Sequence, residues 1–117
     1  MLAAIARLTA EHTAARLGLH AAMDQAWQAC RAGVPLDQEQ RAAIWGAAHH
    51  AAHASRDVVR EAHEHAGATA LYATCPLERA HRDIHAMGQH IILSKTWLED
   101  AGRAWIGVEP VAPMFCS

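Results

Sequence analysis

Ten histidines among 117 residues are the side chains best suited to chemistry near neutral pH, because imidazole is the group whose ordinary pKa lies there. Position separates them more than number does. His90 stands in line with Ala86, Leu93 and Trp97 at three- and four-residue spacings, one row of a helix surface. A histidine on such a row is half-buried, and its neutral ring can serve as an acid or a base. The plainer reading of the same row is a structural histidine bonded to a neighbouring helix. His12 lies between Leu8 and Ala15 on the inner row of the first helix. A buried polar group needs a partner, so His12 must meet one across the bundle, and it is the second catalytic candidate.

A metal site is the competing use of these residues. Glu78 and His81 form a Glu-x-x-His pair with His85 one turn on, and His49, His50, His53 and Asp57 cluster on the preceding helix. Di-iron bundles take Glu-x-x-His from two helices and glutamates from two others. Here one such pair exists, without an inward glutamate row on the first helix, so no metal site is assigned. His63 and His65 fall at the end of a helix, where a cationic ring suits the dipole. Arg82 and Asp83 are adjacent, cannot face each other on a helix, and are expected to tie different elements together. Trp27, Trp45, Trp97 and Trp105 are core or interface residues before they are ligand-stacking groups. No phosphate loop, Ser-His-Asp order or Cys-His nucleophile pattern is present.

Three long helices must position these groups. The chain is 52% hydrophobic and only 5% aromatic, with alanine the commonest residue, a composition that favours an all-α fold. The first helix spans about Met1 to Arg31 on a stripe of Leu2, Ile5, Leu8, Ala15, Leu19, Met23, Trp27 and Cys30, then meets Gly33 and Pro35, a helix stop. Asp37 and Gln40 form a capping-box pattern, opening a second helix that runs to Gly67. Pro76 suits the first turn of a third, with Cys75 at its N-cap. Ile84, Met87, Ile91, Leu98, Ala101 and Trp105 then carry it to about Gly107. Each rod is about 45 Å long, and the short loops force antiparallel neighbours. The organisation is one helical bundle domain over residues 1–107 and an irregular tail over 108–117.

A net charge of −2 and a pI near 6.5 give no electrostatic reason to expect nucleic acid or an anionic membrane. No apolar run approaches the roughly 20 residues of a membrane span, and the N-terminus reads as a helix, not a signal peptide. Three cysteines without CxxC spacing are read as reduced thiols of a cytoplasmic protein.

The order of signals resembles a known family. A proline-bearing loop, a His- and Ala-rich helix, the turn Gly67-Ala-Thr-Ala-Leu-Tyr72, the start Thr74-Cys75-Pro76-Leu77 and the motif Arg79-x-x-Arg82-Asp83 follow one another. They resemble the C-terminal helical domain of acyl-CoA dehydrogenase-like flavoproteins, in the flavin-dependent monooxygenase branch. The resemblance covers about Met1 to Gly107 and implies part of a four-helix bundle. It places His90 toward the flavin and substrate, and Gly67, Leu71 and Tyr72 near the cofactor, FMN or FAD. It also implies that the N-terminal and β domains, and the first bundle helix, lie outside this chain, to be supplied by a partner chain. Relatives often have serine where Cys75 stands.

Three helices with apolar residues on more than one face leave a groove, so a homodimer or higher even assembly is expected. The function implied is oxidation of a small apolar or aromatic metabolite together with a partner chain. The alternatives are a stand-alone, flavin-independent cyclase or isomerase using His90, and a non-catalytic assembly or binding protein.

Overall fold

The structure, a computed structural model, describes residues 1–112. Pro113 and Cys116, assigned to the tail and to the thiol count, lie outside the described residues. Helix α1 is Leu2–Arg31, α2 is Gln38–Ala66, α3 is Pro76–Met87 and α4 is Lys95–Trp105. Short 3-10 turns cover Gly67–Leu71 and Ile91–Leu93. Among the described residues there is no strand, and the fold is an all-α antiparallel array.

The helix ends follow local chemistry. The Gln40 N–H donates to Asp37 Oδ1 at 2.7 Å while the Asp37 N–H donates to Gln40 Oε1 at 3.0 Å, so two otherwise orphaned donors at the start of α2 are satisfied. Gly33 and Gly67 end α1 and α2 at φ of 68° and 61°, a region that a Cβ disfavours. Pro76 is the first residue of α3 and Cys75 its N-cap, but the thiol makes no capping bond.

The third predicted helix is two helices. Gly88 caps α3, and the N–H groups of Gln89 and His90 donate to Ala86 and Met87 three residues back. The tightened turn unwinds through Ile91–Leu93 before Ser94 opens α4. Glycine weakens a helix interior and the Ile91-Ile92 pair is stiff at χ1, whereas serine favours an N-cap. The apolar spacing keeps helical phase across this break and conceals it.

Helix α2 is the central strut. It carries the substantial contacts of α1 on one side and of α3 and α4 on the other. The start of α1 lies beside the end of α2, where Ile5 and Leu8 share a hollow with Ala62 and Ala66, and the Arg7 guanidinium bonds the Glu61 carboxylate. Along α1 the buried residues are Leu8, Ala15, Ala22 and Ala26. Leu8, Ala15 and Ala22 are seven apart and Ala26 follows four later, the spacing of a coiled-coil seam, and alanine methyls let two backbones approach closely. The expected stripe holds at Leu8 and Ala15 and shifts by one residue beyond them, to Ala22 and Ala26. Leu2, Ile5, Met23 and Trp27 are all at least half exposed, because beyond Leu8 alanines occupy the seam.

On the other side of α2, Ala42 and Ala101 form a core with Trp45, Trp97 and Ala104 packed against it. A Cβ on Gly46 would lie 2.6 Å from the Trp105 ring, so glycine there makes room for the indole. Among the described residues Asp100 is the largest fully buried side chain. It accepts the Val111 N–H at 3.1 Å, the Ala112 N–H, and Arg103 Nη1 at 2.7 Å. Residues 108–112 are thereby tied back onto α4, with Pro110 and Ala112 buried.

A core this thin leaves much apolar surface open. The radius of gyration is 17.0 Å, against about 13 Å for a compact chain of this length. The accessible surface is 7920 Å², where a compact monomer of this mass shows about 6,200 Å².

A candidate small-molecule site at the helix break

The break between α3 and α4 makes a hollow of about 530 Å³, lined by Ala86, Met87, Gln89, His90, Ile92 and Leu93. Every wall comes from one eight-residue stretch, and all but Gln89 and His90 are apolar. The His90 ring does not sit half-buried on a helical row as its spacing predicted. It is exposed, in the unwound segment, where its Nδ1 accepts the Ile92 N–H at 3.3 Å. The unwinding takes His90 off the Ala86–Leu93–Trp97 line and turns it into the cap of the Ile91–Leu93 turn. A second, much smaller hollow lies behind Met87 and Leu93, bounded by Ala52, His53, Arg56, Ile84 and Gly88. Its volume, about 20 Å³, has room for about one water.

His12 is not on the inner row. It is exposed on the outer face of α1, in a shallow hollow with Thr13, Arg16, Leu17 and His20. Leu8 and Ala15 on either side of it are buried as expected, but His12 itself faces away from that seam. Its neighbours in that hollow all belong to α1, so the hollow joins it to none of the His90 surroundings.

Gly67, Leu71 and Tyr72 form the turn that leaves α2. Leu71 is 75% and Tyr72 69% exposed, and the turn is closed by the Cys75 N–H donating to the Tyr72 carbonyl at 2.8 Å. It offers a projecting aliphatic and aromatic edge.

Five of the other histidines lie ring against ring. His63 of α2 lies 4.5 Å from His81 of α3, and His81 4.4 Å from His85, between ring centroids. Burial, then the nearby His85 and His63 rings, lower the His81 pKa against the opposing pull of Glu78 and Glu64. His49 stacks on His53 at 4.3 Å, and burial followed by His53 and Arg56 lowers its pKa too. Arg56 Nη2 donates to His53 Nδ1 at 2.9 Å. Among the described residues no three His, Cys, Asp or Glu side chains are disposed to hold a metal ion.

Arg82 and Asp83 do not tie separate elements together. Arg82 pairs with Glu78 at 3.8 Å and Asp83 with Arg79 at 3.5 Å, each one turn back on α3. Both are well exposed, so the pairs contribute at most a few tenths of a kcal/mol each. Among the described residues no helix is long and apolar enough to cross a membrane.

Residues 1–95, which take in α1, α2, α3 and the break with His90, match the family model described as acyl-CoA dehydrogenase, C-terminal domain. The chain belongs to this family. As an acyl-CoA dehydrogenase C-terminal domain it is also 34% identical, over 115 residues, to a pigment production hydroxylase of Rhodococcus erythropolis. That similarity covers 97% of this chain and 29% of the relative, so the chain spans less than a third of the hydroxylase it matches.

Proposed function

We propose that this domain serves a flavin-dependent hydroxylase that oxidises a small apolar or aromatic metabolite, with His90 at the substrate. The observation that carries this reading is the apolar hollow at the helix break with one imidazole on its rim, in a domain related to a hydroxylase. A flavin, FMN or FAD, bound against Gly67, Leu71 and Tyr72 would supply the oxygen activation. The domain's own residues hold the substrate against Met87, Ile92 and Leu93, and present His90 to its polar atom. Another polypeptide completes the cofactor pocket.

The open surface supports a homodimer or higher even assembly. The excess of about 1,700 Å² over a compact monomer is what a standard protein interface buries.

A flavin titration is the direct test. The fluorescence of FMN or FAD is expected to change on adding the domain with the partner chain encoding the β domain, and His90→Ala is expected to keep that change while abolishing hydroxylation. Unaltered fluorescence in the presence of both chains would remove the reading.

One observation favours a second reading, a flavin-independent enzyme with His90 as acid or base. The hollow beside His90 is built by this chain alone, whereas the Gly67–Tyr72 turn is open. Turnover without flavin, lost in His90→Ala, would establish it.

A further inference from the structure

We infer that the helix break fixes His90 as a hydrogen-bond donor toward the hollow, so the ligand it selects presents an oxygen acceptor, a phenolate or a carboxylate, on an apolar ring. The inference rests on the reading that this hollow holds the substrate.

A neutral imidazole carries one proton, on one of its two nitrogens, and the bond made by one nitrogen decides the role of the other. The Ile92 backbone N–H can only donate, and it is directed at His90 Nδ1. In the neutral ring Nδ1 is then the acceptor, and Nε2 carries the proton. His85 shows the opposite arrangement one turn earlier. Its Nδ1 lies 2.7 Å from the His81 carbonyl oxygen, which can only accept, so His85 Nδ1 carries the proton and Nε2 is bare. Two histidines five residues apart are thus held in opposite tautomers by backbone groups, and only His90 lines the hollow.

The other walls restrict the ligand further. Ala86, Met87, Ile92 and Leu93 are apolar, and Gln89 is the one additional polar side chain. An oxyanion on an apolar ring finds its donor at His90 Nε2–H, whereas an ammonium group finds no acceptor on the ring. Protonation of His90 would add charge without removing that donor, but it would break the bond from Ile92, since both ring nitrogens then donate.

The test is nitrogen-resolved NMR of the histidine rings, at a pH where they are neutral, with three probes: 4-nitrophenolate, benzoate and benzylammonium. The expected result is protonated Nε2 at His90 and protonated Nδ1 at His85. Phenolate or benzoate should shift His90 Nε2–H and the methyl signals of Met87, Ile92 and Leu93, and benzylammonium should not. The stronger of the two anions identifies the acceptor. Ile92→Pro removes the backbone donor and should leave His90 as a mixture of tautomers with weakened anion binding. A protonated Nδ1 at His90, or equal binding of benzylammonium, overturns the inference while leaving the hollow as a site. If none of the three probes moves the methyl signals, the inference falls together with the proposed substrate site, and the flavin titration stands apart from both.

Discussion

The Trp97 indole lies against that of Trp45, with 4.9 Å between ring centroids and 22° between planes. This stack, one ring from α2 and one from α4, clamps the segment after the break to the central helix. Trp97→Ala removes a half-buried aromatic and its stacking contact with Trp45, and is expected to cost about 2 to 3 kcal/mol. Chemical denaturation followed by circular dichroism measures it. The same substitution should loosen the Ile91–Leu93 turn, read as faster amide exchange there.

Gly46 and Trp105 are coupled by contact. Glycine in the interior of α2 costs about 1 kcal/mol against alanine, yet a methyl there collides with the Trp105 ring. Gly46→Ala is expected to destabilise the wild-type chain and to stabilise a Trp105→Ala chain by about 1 kcal/mol. A double-mutant cycle in which the two effects simply add would refute the coupling.

The histidine stack makes stability depend on pH. His49 and His81 are depressed below the ordinary imidazole value of about 6.5, so the unfolded chain binds protons that the folded chain resists. Stability from these rings is fully present above about pH 6.5 and declines as the pH falls toward their folded values. Thermal melting should drop across that window, and His81→Gln should flatten the drop. Glu78 and Glu64 stay as acceptors beside the stack, which limits its depth. A melting temperature constant from pH 7.5 to 5.5 would contradict the assignment.

Asp100 acts in a lower window. Burial pushes its carboxyl up, but the N–H groups of Val111 and Ala112 and the Arg103 guanidinium outweigh burial and hold it below the ordinary carboxylate value. Its contribution is present above about pH 4 and is lost on further acidification. Asp100→Ala orphans two backbone N–H groups and is expected to cost on the order of 2 kcal/mol. Limited proteolysis should cut first in residues 108–112, while Asp100→Asn should retain part of the protection.

The outer row of α1 is the surface to probe for association. Trp27→Glu and Met23→Glu leave the buried seam residues unchanged and place charge on the exposed stripe. If that stripe is covered by a second copy, light scattering should show dissociation while helicity is unchanged. Dimers unaffected by both substitutions would direct attention to the exposed Leu71, Ile106 and Val111.

Much of this fold was legible from short-range signals. Asp37 with Gln40, Gly33, Gly67 and Pro76 mark the limits of α1 and α2 and the start of α3, because caps and stops act within a few residues. Gly88, Ile91-Ile92 and Ser94 marked the break equally well, but the apolar period ran through them in phase and argued for continuity. Leu8 and Ala15 lie on the inner face of α1 as their spacing predicts, but further along the helix the face falls on Ala22 and Ala26, not Met23 and Trp27, since alanines weigh little in any hydrophobic pattern yet permit the closest packing. Asp100 was invisible because its partners are backbone amides eleven and twelve positions later, which no side-chain pattern encodes. The site followed the same division. The family resemblance proposed His90 by its place beyond the Arg82-Asp83 pair, while its exposure, its bond to Ile92 and its opposition to His85 depend on the unwound backbone and were not legible.

A rod that touches one neighbour along a strip of methyl groups is the most easily detached part of such an assembly. α1 should open as a unit before α2 does, its amides exchanging at a lower free energy while α2 remains braced by α3 and α4. Whatever covers the outer row of α1 would then slow that exchange most at Met23 and Trp27, far along the sequence from the cleft that holds the imidazole.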